Sequence, residues 1–213
     1  MTNTTTGWQP QNERDDLAED RVPSEPLALF KHWFEAAVAA DMIEPSAMTL
    51  ATADAQGRPS ARIVLLKGYS EEGFDFYTNY NSHKGCDLAE NAHAALVFWW
   101  DKLERQIRIE GRVKKLDPAH AEAYFHKRPR GGQLGAAASH QSQPIASRAA
   151  LEAQMQACET RFENQDVARP DEWGGYRLSA ACMEFWQGRR NRLHDRIEYT
   201  RQADGWIVQR LQP

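Results

Sequence analysis

From Ala47 onward, short apolar runs follow one another with turn residues between them, and this consecutive order leaves few architectures open. Met48–Ala53 and Ala61–Leu66 flank Asp54-Ala55-Gln56-Gly57 and read as a β-hairpin. Phe74–Thr78, Ala94–Trp100 and Arg105–Leu116 continue the series. Gly175–Ala181, Met183–Trp186, Leu193–Tyr199 and Trp206–Leu211 complete it, the last after an Asp204-Gly205 turn. Strands in such succession suit antiparallel pairing, whereas a parallel doubly wound sheet alternates strand with helix. The expected fold class is therefore α+β, mainly β: an antiparallel, Greek-key-like barrel with peripheral helices.

The helices read as accessories to that sheet. Ser24 is placed to cap a helix with Pro26 in its first turn and Leu27, Phe30, Phe34, Ala37 and Val38 on one face, ending near Asp41. Ser82 opens a short helix to Asn91, and Asp117-Pro118 opens another that runs to about Lys127. Arg128-Pro129-Arg130-Gly131-Gly132 is expected to stop it, followed by a small-residue segment at Leu134–Ser139. A charged helix spans about Ser147 to Asn164. Ile63-Val64-Leu65-Leu66 is apolar on both faces and is expected to be buried on both. Residues 1–23 are polar and aperiodic and read as a mobile segment ahead of one domain at 24–213.

Composition narrows the function classes. The 213 residues suffice for one domain with a real core. No apolar run is long enough for a bilayer, and the N-terminus lacks the form of a secretory signal. Three scattered cysteines without CxxC point to a reducing cytoplasm and no zinc site; no metal is expected. A formal charge of −4 offers no global attraction to nucleic acid. Positive charge is local instead, around Lys127–Arg130 and Arg189–Arg196, which suits a small anionic ligand. Neither GxGxxG after a strand nor GxxxxGK[ST] nor HExxH is present.

The densest chemistry lies in Trp186–Arg196, WQGRRNRLHDR, between apolar runs on either side. Arginine forks match phosphate or carboxylate oxygens in pairs, and a neighbouring histidine can handle a proton near neutral pH. Gln187, Gly188 and Asn191 equally suit a solvated hairpin turn. Elsewhere, Arg62, Lys67, Lys84, Arg128, Arg192 and Arg196 sit at strand ends and loops, interleaved with Thr78, Gln106, Gln141 and Ser142 and with the flat faces of Tyr77, Tyr124 and Trp186. Brought together, they would form a pocket for a planar, phosphorylated ligand. Each also has a plainer reading: Arg62 as a surface charge, Lys84 paired with Asp87 or Glu90, Tyr124, Phe125 and Trp186 as packing, and His194 as an ordinary half-buried histidine.

RIVLLK at Arg62–Lys67, FYTN at Phe76–Asn79, Arg105-Gln106, YFHKRPR at Tyr124–Arg130, Gln141-Ser142, WGG at Trp173–Gly175, FWQG at Phe185–Gly188 and RLHDR at Arg192–Arg196 occur in order. Over about Pro23 to Pro213 this pattern resembles the pyridoxine/pyridoxamine 5′-phosphate oxidase family. The resemblance implies a split β-barrel homodimer with FMN at the subunit interface. It implies oxidation of pyridoxine or pyridoxamine 5′-phosphate to pyridoxal 5′-phosphate, with O₂ reduced to H₂O₂. By this likeness Arg62, Ile63, Val64, Leu65, Leu66, Lys67, Tyr77, Thr78, His83, Lys84, Gln106, Gln141, Ser142, Trp186 and Arg196 contact FMN. Lys67, Tyr124, Arg128 and Gly132 lie at the substrate phosphate, and Arg192, Leu193 and His194 at the pyridine ring, with Arg192 and His194 catalytic and His194 helping with the departing proton.

The chain also departs from that pattern. His83-Lys84 stands for an Arg-Lys pair, which makes one FMN-phosphate contact weaker or pH-dependent. RPRGGQLGAA stands for RPRDSQ and GAW, so Gly132 replaces a phosphate-binding serine and Ala137 a tryptophan; Glu44 replaces an aspartate. NERDDLAEDRVP is more acidic than the usual lead. Two other functions fit the residues: a related flavin oxidase of another aromatic substrate, such as a phenazine precursor, and a flavin-binding protein without turnover. The phosphate clamp argues against the first, and the intact Arg192/His194 pair against the second.

Overall fold

The computed structural model describes residues 17–213. Residues 1–16, most of the segment expected to be mobile, lie outside the described residues. Five α-helices are described, α1 (Pro26–Ala39), α2 (His83–Glu90), α3 (Pro118–Lys127), α4 (Arg130–Ala138) and α5 (Arg148–Arg161). The strands are β1 (Ala47–Ala53), β2 (Pro59–Leu65), β3 (Gly68–Ser70), β4 (Gly73–Asn79), β5 (His93–Trp100), β6 (Arg105–Lys115), β7 (Trp173–Gln187), β8 (Asp195–Gln202) and β9 (Gly205–Arg210). They hydrogen-bond in the order β2-β1-β5-β6-β7-β4-β3, with β8 on β7 and β9 on β8. The α+β class expected from the strand succession is the class observed.

The chain divides into two compact units. One comprises residues 17–50, 95–111 and 180–213. Its core is aromatic: Phe30 meets Phe98 edge-on at 5.4 Å, Trp33 meets Phe185 at 5.4 Å, and Phe185 meets Tyr199 at 5.6 Å. Such T-shaped pairs add to area burial because ring edges face ring faces of opposite partial charge. Polar tips of buried aromatics find partners: Tyr199 Oη donates to Pro23 O at 2.8 Å and Trp100 Nε1 to Pro45 O at 3.0 Å. Leu17 is buried, and its carbonyl accepts from Arg210, which also pairs with Glu19. The buried stripe of α1 is Pro26, Leu29, Phe30, Trp33 and Ala37; Val38, expected inside, is exposed. Glu25, not Ser24, occupies the N-cap and makes no side-chain cap bond, so Pro26 alone marks the start.

The other unit comprises residues 51–94 and 112–179. Phe125, Leu134, Ala138, Cys158, Val167 and Trp173 form its helical core. Asp117 and Ser147 cap α3 and α5 by accepting from Ala119 N at 2.8 Å and Ala150 N at 3.1 Å. β4 pairs antiparallel with the first half of β7, with Tyr77 opposite Gly175. A Cβ on Gly175 would lie 2.8 Å from the Tyr77 ring and 2.6 Å from Leu116 Cδ1. The WGG motif thus lets an aromatic ring lie flat on the neighbouring backbone.

Three further expectations are corrected. Arg130–Ala138 is a helix, not a stop and a small-residue segment. Pro129 precedes its first turn, where the missing N–H is harmless, and burial of Leu134 and Ala138 against Cys158 offsets the three glycines. Residues 173–187 form one strand in place of two, because β7 pairs β4 along 173–178 and β8 along 182–187. β2 is not buried on both faces: it ends the sheet order, and Ile63 is 64% exposed. Apolar character on both faces of an edge strand says nothing about which face the chain itself covers.

Candidate active site

In the second unit, a cavity of about 530 Å³ gathers most of the residues expected to bind a ligand. β2 and the residues after it contribute Arg62, Ile63, Val64, Leu65 and Lys67; β4 contributes Tyr77 and Thr78; α2 contributes Lys84. Tyr124, Arg128, Pro129, Gly132, Gln141 and Trp173 complete the lining. Four of these side chains are cations and none is acidic. A partly desolvated cavity built this way favours an anion, because nothing within the lining neutralises the charge.

Arg62 and Lys84 are held in place by hydrogen bonds. Arg62 donates from Nη1 to Thr52 Oγ1 and from Nη2 to Ser60 Oγ, both at 2.7 Å. The Thr52 hydroxyl in turn donates to Asp87 Oδ2 at 2.6 Å, and Arg62 Nη2 lies 3.8 Å from the same carboxylate oxygen. Thr52 and Asp87 are both buried. Lys84 does not pair with Asp87 or Glu90. Its ammonium donates to Gln141 Oε1 at 2.7 Å, Thr78 Oγ1 at 3.0 Å and Ser82 Oγ at 3.3 Å. Burial, with a smaller contribution from the Arg62 charge, pulls the Lys84 ammonium down to about 8. Ser82 also caps α2 by accepting from Gly85 N, which fixes Lys84 in the first turn.

The far end of the cavity is aromatic. Tyr77 and Tyr124 stack at 4.0 Å with 19° between their planes, and Trp173 lies nearly parallel to both. Burial raises both phenols, Tyr77 to about 12, so both keep their protons and can donate. The Arg128 guanidinium sits 4.9 Å over the Trp173 ring. Arg128 Nη1 is buried and, among the described residues, has no hydrogen-bond partner. A buried unpaired guanidinium nitrogen is costly, and an incoming oxyanion would satisfy it. Gly132 adjoins it: an added Cβ would lie 3.4 Å from Arg128 Nη2.

Not every expected residue lines this cavity. Leu66 is buried. His83 is exposed at the start of α2, with Nε2 3.5 Å from Asp87 Oδ1. Ser142, at φ 70°, lines a neighbouring cavity of about 450 Å³, which shares Gln141. Gln106, Trp186, Arg192, Leu193, His194 and Arg196 belong to the first unit. There, residues 190–192 form a 3₁₀ turn with Asn191 and Arg192 at positive φ, 58° and 61°. Arg192 and Leu193 are exposed, and His194 is half-buried with its ring 4.5 Å from the Trp186 ring. Burial and then the Arg192 charge lower the His194 imidazole, opposed by Asp195. Arg196 donates from Nε to Glu184 Oε1 at 2.8 Å and from Nη2 to Oε2 at 3.1 Å, while Arg108 Nη1 donates to Oε2 at 2.9 Å.

Sequence reasoning missed Thr52 and the packing role of Trp173 beside the cavity, and gave Asp87 to Lys84 in place of Arg62. Thr52 had a signal, since it continues the inward stripe of Met48 and Leu50, where a hydroxyl needs a partner. Asp87 was visible as a helix carboxylate near Lys84, but its contacts with Thr52 and Arg62 come from the fold.

Residues 34–162 match the family model described as pyridoxamine 5′-phosphate oxidase. Residues 173–213 match the pyridoxine 5′-phosphate oxidase C-terminal dimerisation region. A relative from Acaryochloris marina, named pyridoxine/pyridoxamine 5′-phosphate oxidase, is 54% identical over 197 residues, covering 92% of this chain and 90% of the relative. One of the same name from a Cyanothece species is 49% identical over the full length of both. Among solved structures, PhzG from Burkholderia lata, in complex with tetrahydrophenazine-1-carboxylic acid, superposes with a TM-score of 0.88 at 33% identity, covering 95% of this chain and all of PhzG. An FMN-binding protein from Nostoc punctiforme, described as pyridoxamine 5′-phosphate oxidase-related, gives 0.69 at 17% identity, covering 93% of this chain and all of that protein, a likeness of fold. The chain belongs to the pyridoxamine 5′-phosphate oxidase family of oxidoreductases.

Proposed function

We propose that this enzyme binds FMN and oxidises pyridoxine 5′-phosphate and pyridoxamine 5′-phosphate to pyridoxal 5′-phosphate, with O₂ reduced to H₂O₂. The observation that carries the reading is the unpartnered Nη1 of Arg128, buried beside a cavity that holds four cations and no carboxylate. Two groups of cations support two anionic moieties. Arg62 and Lys84, with Thr78 and Gln141, fit the phosphate of the cofactor. Lys67, Arg128 and the Tyr124 hydroxyl fit the phosphate of the substrate, with Gly132 adjoining them. Ile63, Val64, Leu65, Leu66, Tyr77, His83, Gln106, Ser142, Trp186 and Arg196 are the remaining residues assigned to FMN, on the family likeness.

FMN, when bound, supplies the hydride acceptor for the substrate C4′ and the route of the electrons to O₂. The protein positions. A phosphate held at Arg128 and Lys67 fixes one end of the substrate away from the reacting carbon, which lowers the entropic part of the barrier. Arg192, Leu193 and His194 take the pyridine ring. The dimerisation region at 173–213 supports a homodimer with FMN between its subunits. No helix of the described residues is long and apolar enough to cross a membrane, and the three cysteines are free, which supports a reducing, cytoplasmic setting.

The likeness to PhzG favours a second reading, oxidation of a phenazine precursor. A clamp of Lys67, Tyr124 and Arg128 has no use on an unphosphorylated ring. Anaerobic addition of pyridoxine 5′-phosphate to the FMN-loaded protein separates the two. Bleaching of the flavin absorbance that recovers in air is the expected result. Flavin that stays oxidised with both phosphorylated substrates, yet bleaches with a dihydrophenazine, overturns it.

A further inference from the structure

His194 was expected to help with a departing proton, and the hydrogen bonds around it bear on how. The backbone N–H of Arg189 points at His194 Nδ1 at 3.1 Å. A backbone N–H can only donate, so Nδ1 accepts and carries no proton. The neutral ring then holds its proton on Nε2. No protein group among the described residues takes that Nε2–H, although one face of the ring is packed on Trp186. A general base at Nε2 would need the opposite tautomer, with an Nδ1–H set against the Arg189 N–H. Imidazolium would make the same clash.

The frame behind this contact is ionic. Arg189 Nε donates to Asp195 Oδ2 at 2.6 Å, so the residue before the turn is tied to the residue after His194. Asp195 Oδ1 is taken by Arg210 Nη1 at 2.7 Å. With both its oxygens engaged, Asp195 does not orient the imidazole in the manner of a carboxylate–histidine dyad. It orients the backbone that does. Arg192, the other charged neighbour, opposes a positive ring.

We propose that His194 acts as a fixed Nε2–H hydrogen-bond donor, not as a base, and that Arg189 and Asp195 are the positioning residues that set its tautomer. Resting on the oxidase reading, the partner is a lone pair on the oxygen or nitrogen substituents of the substrate ring. A ligand atom that must itself donate to this position is excluded.

The test is spectroscopic first. In FMN-loaded protein with ¹⁵N-labelled histidine, long-range proton–nitrogen spectra distinguish the tautomers, and the signals lost in His194→Gln belong to His194. An Nε2–H tautomer at neutral pH is expected; an Nδ1–H tautomer or imidazolium overturns the proposal. Asp195→Asn removes the charge that Arg189 Nε bonds and is expected to mix the tautomers; a single unchanged tautomer removes Asp195 from the positioning role. Glutamine retains an N–H donor, so His194→Gln is expected within about tenfold of wild-type turnover and His194→Ala about 100-fold below it, the scale for removing one fixed hydrogen-bond donor. Equal losses in the two variants overturn the donor role. Wild-type flavin that no phosphorylated pyridine reduces sinks the oxidase reading instead, while the tautomer is still read from the spectra.

Discussion

Thr52 accepts from Arg62 Nη1 at 2.7 Å and donates to Asp87 at 2.6 Å, so one hydroxyl joins a cavity cation to a buried carboxylate. Thr52→Val keeps the shape and removes the joint. Asp87 loses its donor in a buried place, and Arg62 loses one of its two hydroxyl acceptors. The expected cost is about 1–3 kcal/mol of stability, the scale for a buried polar group left unsatisfied. A freer Arg62 is also expected to weaken FMN about tenfold, equivalent to ~1.4 kcal/mol. Thermal unfolding of the apoprotein and a flavin-fluorescence titration read the two effects; unchanged values in both remove Thr52 from the site.

Much of this architecture is legible in the residues alone. The hairpin at Asp54–Gly57 and the helix starts at Ser82, Asp117 and Ser147 follow from local chemistry and spacing, whereas the RIVLLK run is assigned to a ligand only through the family likeness. What local chemistry cannot supply is pairing at a distance. Thr52 and Asp87 are 35 residues apart, and only the fold brings them together. Ile63 looks like core until β2 is known to end the sheet order. Arg130–Ala138 looks like a loop because Pro129 and three glycines set local propensity against a helix, and the packing of Leu134 against Cys158 that reverses the balance is tertiary.

Lys84 makes anion binding depend on pH. Its ammonium is pulled down to about 8 by burial and by Arg62, from an ordinary 10.5. The cavity therefore loses one positive charge as pH rises through about 8, and affinity for FMN is expected to fall over the same range. The stability of the apoprotein moves the other way. Between about 8 and 10.5 the unfolded chain keeps the proton that the folded chain has shed, so stability from this group rises with pH. Lys84→Arg keeps its charge throughout and flattens the affinity profile. An equally steep profile in that variant assigns the titration to another group.

Gly132 leaves room beside the phosphate clamp. A Cβ there would sit 3.4 Å from Arg128 Nη2, in ordinary contact, and Gly132 is in the first turn of α4. Gly132→Ser is expected to add a hydroxyl donor near the substrate phosphate and lower the Michaelis constant a few-fold, about 0.5–1.5 kcal/mol for one hydrogen bond. Steady-state kinetics with pyridoxine 5′-phosphate decide it. An unchanged Michaelis constant means that the hydroxyl does not reach the phosphate or that another donor already serves it.

Arg128 carries the sharpest trade between stability and function. Its buried Nη1 has no partner among the described residues, while its flat face rests on Trp173. Arg128→Met keeps much of the packing volume and removes a donor whose desolvation is uncompensated until an anion arrives. Loss of the unpaired group is expected to leave the apoprotein as stable as wild type or more so, where an ordinary large-to-small change in a packed region would destabilise it. The same variant is expected to raise the Michaelis constant for the phosphorylated substrate about 100-fold, the loss of ~3 kcal/mol for a charge-assisted bond. Differential scanning calorimetry without ligand, set beside initial rates with both substrates, reads the two halves. A variant that unfolds several degrees lower means that Nη1 already serves the folded state. A variant with unchanged kinetics means that the phosphate binds elsewhere, and the clamp assigned to Lys67, Tyr124 and Arg128 then loses its central member.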